Sequence, residues 1–187
     1  MSHGLDLGPV ALLPSARHPI LKAAETVLFV CNRIIVAFAA LALVAASAIL
    51  SYSVITRALF RSPTYWQDEA AVFLLVGATF MTAAYVQSLR GHVGIEALAG
   101  LLPAGVNRVR LVLVDVVSAL FCSFYSWKSW TLFHEAWTEG QTTSSSFAPP
   151  LWIPYSLMSA GMTLLAIQLI LQSAVRLSGG EVQKAAA

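Results

Sequence analysis

From Ile34 to Ile55 the chain carries no charged side chain, and arginines close the run on both sides at Arg33 and Arg57. A helix needs about 20 mostly apolar residues to cross the roughly 30 Å of bilayer hydrocarbon. Within that layer only a helix or a closed barrel satisfies its own backbone amides. The run therefore predicts a transmembrane helix. Two more runs are free of charge, Ala70 to Leu89 and Leu151 to Val175, the last with Pro154 in its opening turn, where a missing amide hydrogen is tolerated. A fourth, Val109 to about Trp130, is weaker, because Asp115 lies inside it and Lys128 near its end. With 58% of residues hydrophobic and 11% charged, the chain has too little polar material to cover a soluble core of its size. The expected class is an all-α integral membrane protein with four transmembrane helices and short amphipathic interfacial helices. The expected organisation is an arm over 1–33, a membrane domain over 34–176 with spans near 34–55, 70–89, 109–130 and 151–175, and a tail over 177–187. The first run lies too deep in the chain and is too long for an ordinary signal peptide, so no cleavage is expected.

The basic residues fall unevenly about these spans. Arg17, Lys22, Arg33, Arg90, Arg108, Arg110, Arg176 and Lys184 collect on one side, and Arg57, Arg61 and Lys128 on the other. Lys and Arg accumulate in cytoplasmic loops, so both termini are expected in the cytoplasm. Trp66, Trp127, Trp130, Trp137 and Trp152 then fall on the outer side, as a lipid belt or a docking surface. The 11 basic and 9 acidic residues make no broad basic field, which argues against a nucleic-acid partner. Cys31 and Cys122 form no CxxC and read as small apolar fillers.

Two stretches have interfacial character. In "HVGIEALAGLLPAGVNRVR", Ile95, Leu98, Leu101 and Leu102 recur at helical spacing with Glu96 off that face, and Pro103 follows as a breaker. This predicts a surface helix over about 93–102. Pro19 to Asn32 carries Leu21, Ala24, Val27 and Leu28 opposite Lys22 and Glu25, so it lies flat on the membrane or extends the first span. The outer stretch from about Thr131 to Pro150 is polar and proline-ended, as an ordered turn region is. No internal repeat suggests inverted halves. Small-residue pairs at Ala42 with Ala46, Ser47 with Ser51, and Ser156 with Ala160 are expected to form helix-packing seams.

Enzyme motifs are absent from the sequence. His3, His18, His92 and His134 all lie outside the span centres, and there is no HExxH, phosphate-binding glycine loop or GxSxG elbow. No catalytic residue, metal ligand, substrate-binding residue or cofactor is expected on this chain. Asp115 is the carboxylate well inside a span, and intramembrane acids raise a functional hypothesis by default. It sits close to Arg108 and Arg110, which offer it a pairing role. Asp68 and Glu69 open the second run, where free amides and the helix dipole favour anions. Asp68 reads as a cap, and an ion pair from Arg57 to Glu69 would fix the angle between the first two helices.

Taken together, "SVITRALFRSPTYWQDE", the apolar run, "AAYVQSLRGHVGIEALAGLLP" and "APPLWIPYSLMSAGMTLL" closely resemble the small membrane subunit (DctQ or Q type) of tripartite ATP-independent periplasmic (TRAP) transporters. The resemblance covers about residues 25 to 175. Arg57, Trp66 with Glu69, Arg90 with His92, Ile95 with Glu96, and Leu102 with Pro103 occupy the places of the family's motifs. Ala58 departs from an aromatic that commonly follows the arginine, and Glu96 from a more usual Asp.

The resemblance implies a non-catalytic scaffold and docking subunit of an organic-acid importer in the bacterial inner membrane. Its implied partners are a large membrane subunit, which would hold substrate and the expected sodium, a periplasmic substrate-binding protein, and membrane lipids. Arg57, Trp66, Asp68, Glu69, Arg90, His92, Glu96 and Asp115 are then candidates for structural or subunit-interface roles, and Glu135 and Glu139 for docking the binding protein. Two other readings compete. One is a self-sufficient small four-helix transporter using Asp115. The other is a redox or haem-bearing subunit, which a colourless preparation would exclude.

Overall fold

The computed structural model describes residues 19–60, 65–88 and 104–177. They form four helices: α1 (Pro19–Phe60), α2 (Gln67–Ser88), α3 (Ala104–Thr138) and α4 (Trp152–Leu177). Three of them, α1, α2 and α4, are long and apolar enough to cross a membrane. The stretch 19–32, ambiguous in the sequence, continues α1 without a break. The interfacial helix expected near 93–102 lies outside the described residues, as does the tail after 177.

The helices pack in a row, α1 on α2, α2 on α4 and α4 on α3, and the two outer members barely meet anything but their neighbours. α1 and α2 form a hairpin, because only a few residues join them and Arg57 near the end of one reaches Asp68 at the start of the other. α2 and α4 run parallel: Gly77 faces Leu157, Phe80 faces Gly161, and Gln87 bonds Gln172. α3 runs antiparallel to α4, with Trp137 against Trp152, Ser126 and Trp130 on Thr163, and Tyr125 on Met158.

Each seam follows from side-chain size. On α1 the buried positions are Asn32, Ala39, Ala46 and Ser53, a strict seven-residue spacing of small or short side chains. That period keeps one stripe facing the partner with a left-handed crossing, and small residues let the backbones approach. Ala46, from one pair read in the sequence, lies on this stripe, whereas the pair Ser47 with Ser51 is corrected. Ser47 and Ser51 are exposed, and Ser47 spends its hydroxyl on the Leu43 carbonyl, since the packing stripe repeats every seven residues rather than every four. At the α2–α4 crossing, a Cβ on Gly161 would lie 2.4 Å from the Phe80 carbonyl oxygen, so the helices touch backbone to backbone.

The ends are set locally. Ala70 N–H donates to the Trp66 carbonyl at 2.9 Å, and Asp68 and Glu69 fill the first turn of α2. α3 is capped by Gly140, whose φ of 63° lets Gln141 N–H reach back to the Ala136 carbonyl at 3.1 Å, the closing bond of a Schellman cap. The following loop is pinned by a bridge between Thr142 and Pro150, by Thr143 N–H on the Pro149 carbonyl, and by Leu151 N–H on the Gln141 carbonyl.

Candidate functional site

Polar side chains gather where α1 ends, α2 begins and the 141–151 loop passes over them. Arg57 donates to Ser53 Oγ at 2.9 Å and forms a close ion pair with Asp68. Ser53 is itself buried and lies 3.5 Å from the other Asp68 oxygen. Glu69 turns the other way and accepts from Thr143 Oγ1 at 2.8 Å. The expected pair from Arg57 to Glu69 is therefore corrected to Arg57 with Asp68. Adjacent positions on a helix diverge by about 100°, so only one of two neighbouring acids can face α1, and the other faces the loop. Both members of the ion pair are about half exposed, 50% and 53%, and such pairs contribute under about 1 kcal/mol. Their effect is to fix geometry. Trp66 stands half exposed beside them.

The other candidates scatter. Arg90, His92 and Glu96 lie outside the described residues. Asp115 is buried in the first third of α3. Glu135 and Glu139 are exposed at the C-terminal end of α3, where Glu139 accepts from Gln141 Nε2 at 2.8 Å. Among the described residues, no group of three or more His, Cys, Asp or Glu side chains could hold a metal ion. Cys31 and Cys122 are free thiols.

Deeper in the bundle, polar groups are spent on joining helices. Gln87 Nε2 donates to Gln172 Oε1 at 3.0 Å, and Gln172 Nε2 returns to the Gln87 carbonyl at 3.1 Å. Thr163 donates to the Ser159 carbonyl, which leaves its oxygen to accept from Ser126 at 2.8 Å and from Trp130 Nε1 at 3.0 Å. Because α1 and α3 flank the α2–α4 pair without packing on each other, a groove of about 590 Å³ opens between them. Leu43, Thr79, Thr82, Val86, Cys122 and Leu165 line it. The two threonine hydroxyls bond carbonyls of their own helix, Leu75 and Ala78, so the groove offers an apolar surface rather than aimed polar groups.

The α3–α4 register fixes the level of Lys128 along α4. In the sequence, Lys128 lies near the end of the run from Val109 to about Trp130. In the structure Trp137 stands level with Trp152, and the residues flanking Lys128 bond Thr163, near the middle of α4. Counting on from Ser126 at equal rise puts Val175 opposite about Val114. Lys128 is exposed, with its ammonium 5.2 Å from the Trp127 ring centroid. Trp127 and Trp130 lie about three and about two turns before Trp137 on the same helix. Hydropathy windows average along one helix, whereas the level of α3 against α4 is decided by which residues meet across the seam.

Residues 46–179 match the model of one protein family, described as tripartite ATP-independent periplasmic transporters, DctQ component. The comparison with curated proteins gives no match.

Proposed function

The chain belongs to the DctQ component family of tripartite ATP-independent periplasmic transporters, and from that premise we propose how it serves such a transporter. It is the small membrane component. In our reading it threads the inner membrane four times with both termini in the cytoplasm, and it braces a large membrane subunit that carries substrate and sodium. A periplasmic binding protein delivers an organic acid to that pair, and the outer ends of α2 and α3 contribute to its docking. Sodium coupling and organic-acid uptake are expectations of the family resemblance. Lipids cover whatever the partners leave exposed.

The observation that carries this reading is where the polar groups go. Arg57 with Asp68, Glu69 with Thr143, Gln87 with Gln172, and Ser126 and Trp130 with Thr163 each tie one segment of the chain to another. Interiors that bind solutes instead converge several polar groups on a cavity. The proposed fourth crossing, α3, is supported by its packing along α4, which pairs Trp137 with Trp152 at one end and Ser126 with Thr163 near the middle. A helix fixed along most of a spanning neighbour shares its depth. The span this supports runs from about Asp115 to Trp137 at equal rise. Asp115 then falls at the cytoplasmic edge, which suits pairing better than ion translocation.

The decisive experiment reconstitutes the chain into liposomes alone and together with the two other transporter components. Uptake driven by a sodium gradient is expected only from the complete set. Uptake by this chain alone, abolished by Asp115→Asn, would overturn the scaffold reading.

A further inference from the structure

Phe121, Phe124, Lys128 and Leu132 follow one another at helical spacing on α3, all exposed, on the side away from the buried Ser126 and Ser129 of the α4 seam. Ser126 and Trp130 both bond Thr163. That residue lies about 16 Å from Trp152 and about 18 Å from Val175 along α4, at 1.5 Å per residue. Given the proposed fourth crossing, on which this inference rests, Lys128 stands near mid-depth in the bilayer. Its four-carbon stem cannot carry the ammonium to either interface from there.

An ammonium in hydrocarbon is disfavoured by about a hundredfold or more in partitioning. The Trp127 ring at 5.2 Å offsets only part of that. Among the described residues no carboxylate reaches Lys128, and lipid phosphates sit at the interfaces, too far away to do so. The outer face of α1 differs. Ile34, Phe38, Leu41 and Ile55 are exposed along it, with no charge between Arg33 and Arg57, so hydrocarbon suits it throughout.

We propose that the Lys128 face of α3 is covered by a second membrane-embedded component of the transporter, one of whose helices presents a carboxylate to the Lys128 ammonium at mid-depth. The pair satisfies the cation where water is absent and fixes the vertical register of the two subunits, as a single buried polar contact fixes register in a helix seam. The flanking phenylalanines and Leu132 supply the apolar contact around it.

The test uses the full chain co-expressed with the other transporter components, the membrane partner carrying the affinity tag. Lys128→Leu is expected to leave the membrane abundance of the chain expressed alone unchanged or higher, yet to lower the co-purified complex by about tenfold, equivalent to 1.4 kcal/mol. Lys128→Glu is expected to lower it at least as far, by setting like charges together. An undiminished complex with Lys128→Leu would overturn the interface. A third variant separates that failure from failure of the membrane register: Lys128→Cys in a chain with Cys31→Ala and Cys122→Ala, expressed alone and treated with a membrane-impermeant maleimide. No labelling is expected. Prompt labelling would place residue 128 in water and overturn the fourth crossing itself, and the proposal with it.

Discussion

Gly140 and Ala148 both hold positive φ, 63° and 46°, within one short loop, yet substitution should act on them in opposite directions. Gly140 closes the α3 cap in a conformation where a Cβ is disfavoured, although nothing lies within 4 Å of the added carbon. Gly140→Ala is therefore expected to lower stability by about 1 kcal/mol from backbone strain alone. Ala148 already bears that strain, and Pro149 restricts it further, so Ala148→Gly should be neutral or stabilising by up to about 1 kcal/mol. Thermal unfolding of the purified chain in detergent measures both, and equal losses would show that packing decides there instead. Nearby, Asp68→Asn should shift unfolding by less than about 1 kcal/mol, because the pair it breaks is half solvated. A much larger loss would mean that the pair is desolvated in the working protein. That acids open α2 and that an arginine closes α1 was legible in the sequence, since both follow from charge at a membrane boundary. Which acid meets Arg57 was not, because the choice depends on the angle at which α2 leaves the turn.

Among the helices, α1, α2 and α4 could be read directly as charge-free runs, and α3 shows why its run read as weaker. Its charges, Arg108, Arg110, Asp115, Lys128 and Glu135, are spread along a helix that packs chiefly against α4, so no long window of it is uniformly apolar. On α1 the seven-residue seam was hidden for the opposite reason: in a run this rich in alanine and serine, many small-residue pairings are possible, and only α2 selects one. Ala46, at 1% exposure, should tolerate no enlargement. Ala46→Leu is expected to destabilise by about 1 to 3 kcal/mol through overpacking, while Val44→Leu, on an exposed face, should change little. Equal effects at 44 and 46 would place the seam elsewhere. Asn32 closes the same stripe, fully buried with neither amide atom hydrogen-bonded. Asn32→Ala removes a desolvated polar group that gains nothing in return, so the unfolding midpoint should hold or rise. A fall would reveal a bond that Asn32 makes through water.

At the scale of the whole molecule, the row α1–α2–α4–α3 divides the protein into two hairpin-like halves that meet chiefly where α2 crosses α4. Nothing in the sequence marked that crossing. Gly77 and Gly161 are unremarkable residues in apolar runs, and the pairing of the second helix with the fourth, rather than with the third that follows it, is a property of the assembled bundle. The crossing nonetheless has one irreplaceable member. A Cβ on Gly77 would lie 2.8 Å from Leu157 Cδ1, the end of a flexible side chain, whereas one on Gly161 would lie 2.4 Å from a backbone oxygen and 2.5 Å from its carbon. Leu157 can turn aside, but the Phe80 peptide cannot move without moving α2. Gly77→Ala should therefore cost less than about 1.5 kcal/mol, and Gly161→Ala about 3 kcal/mol or more, at the upper end of overpacking. Because the described residues of the two halves meet chiefly along this α2–α4 seam, strain at Gly161 should also split unfolding into two steps, one for each hairpin. Calorimetry of the detergent-solubilised variants separates these outcomes. A single sharp transition for Gly161→Ala, shifted no further than that for Gly77→Ala, would mean that the halves are held together elsewhere than at this crossing.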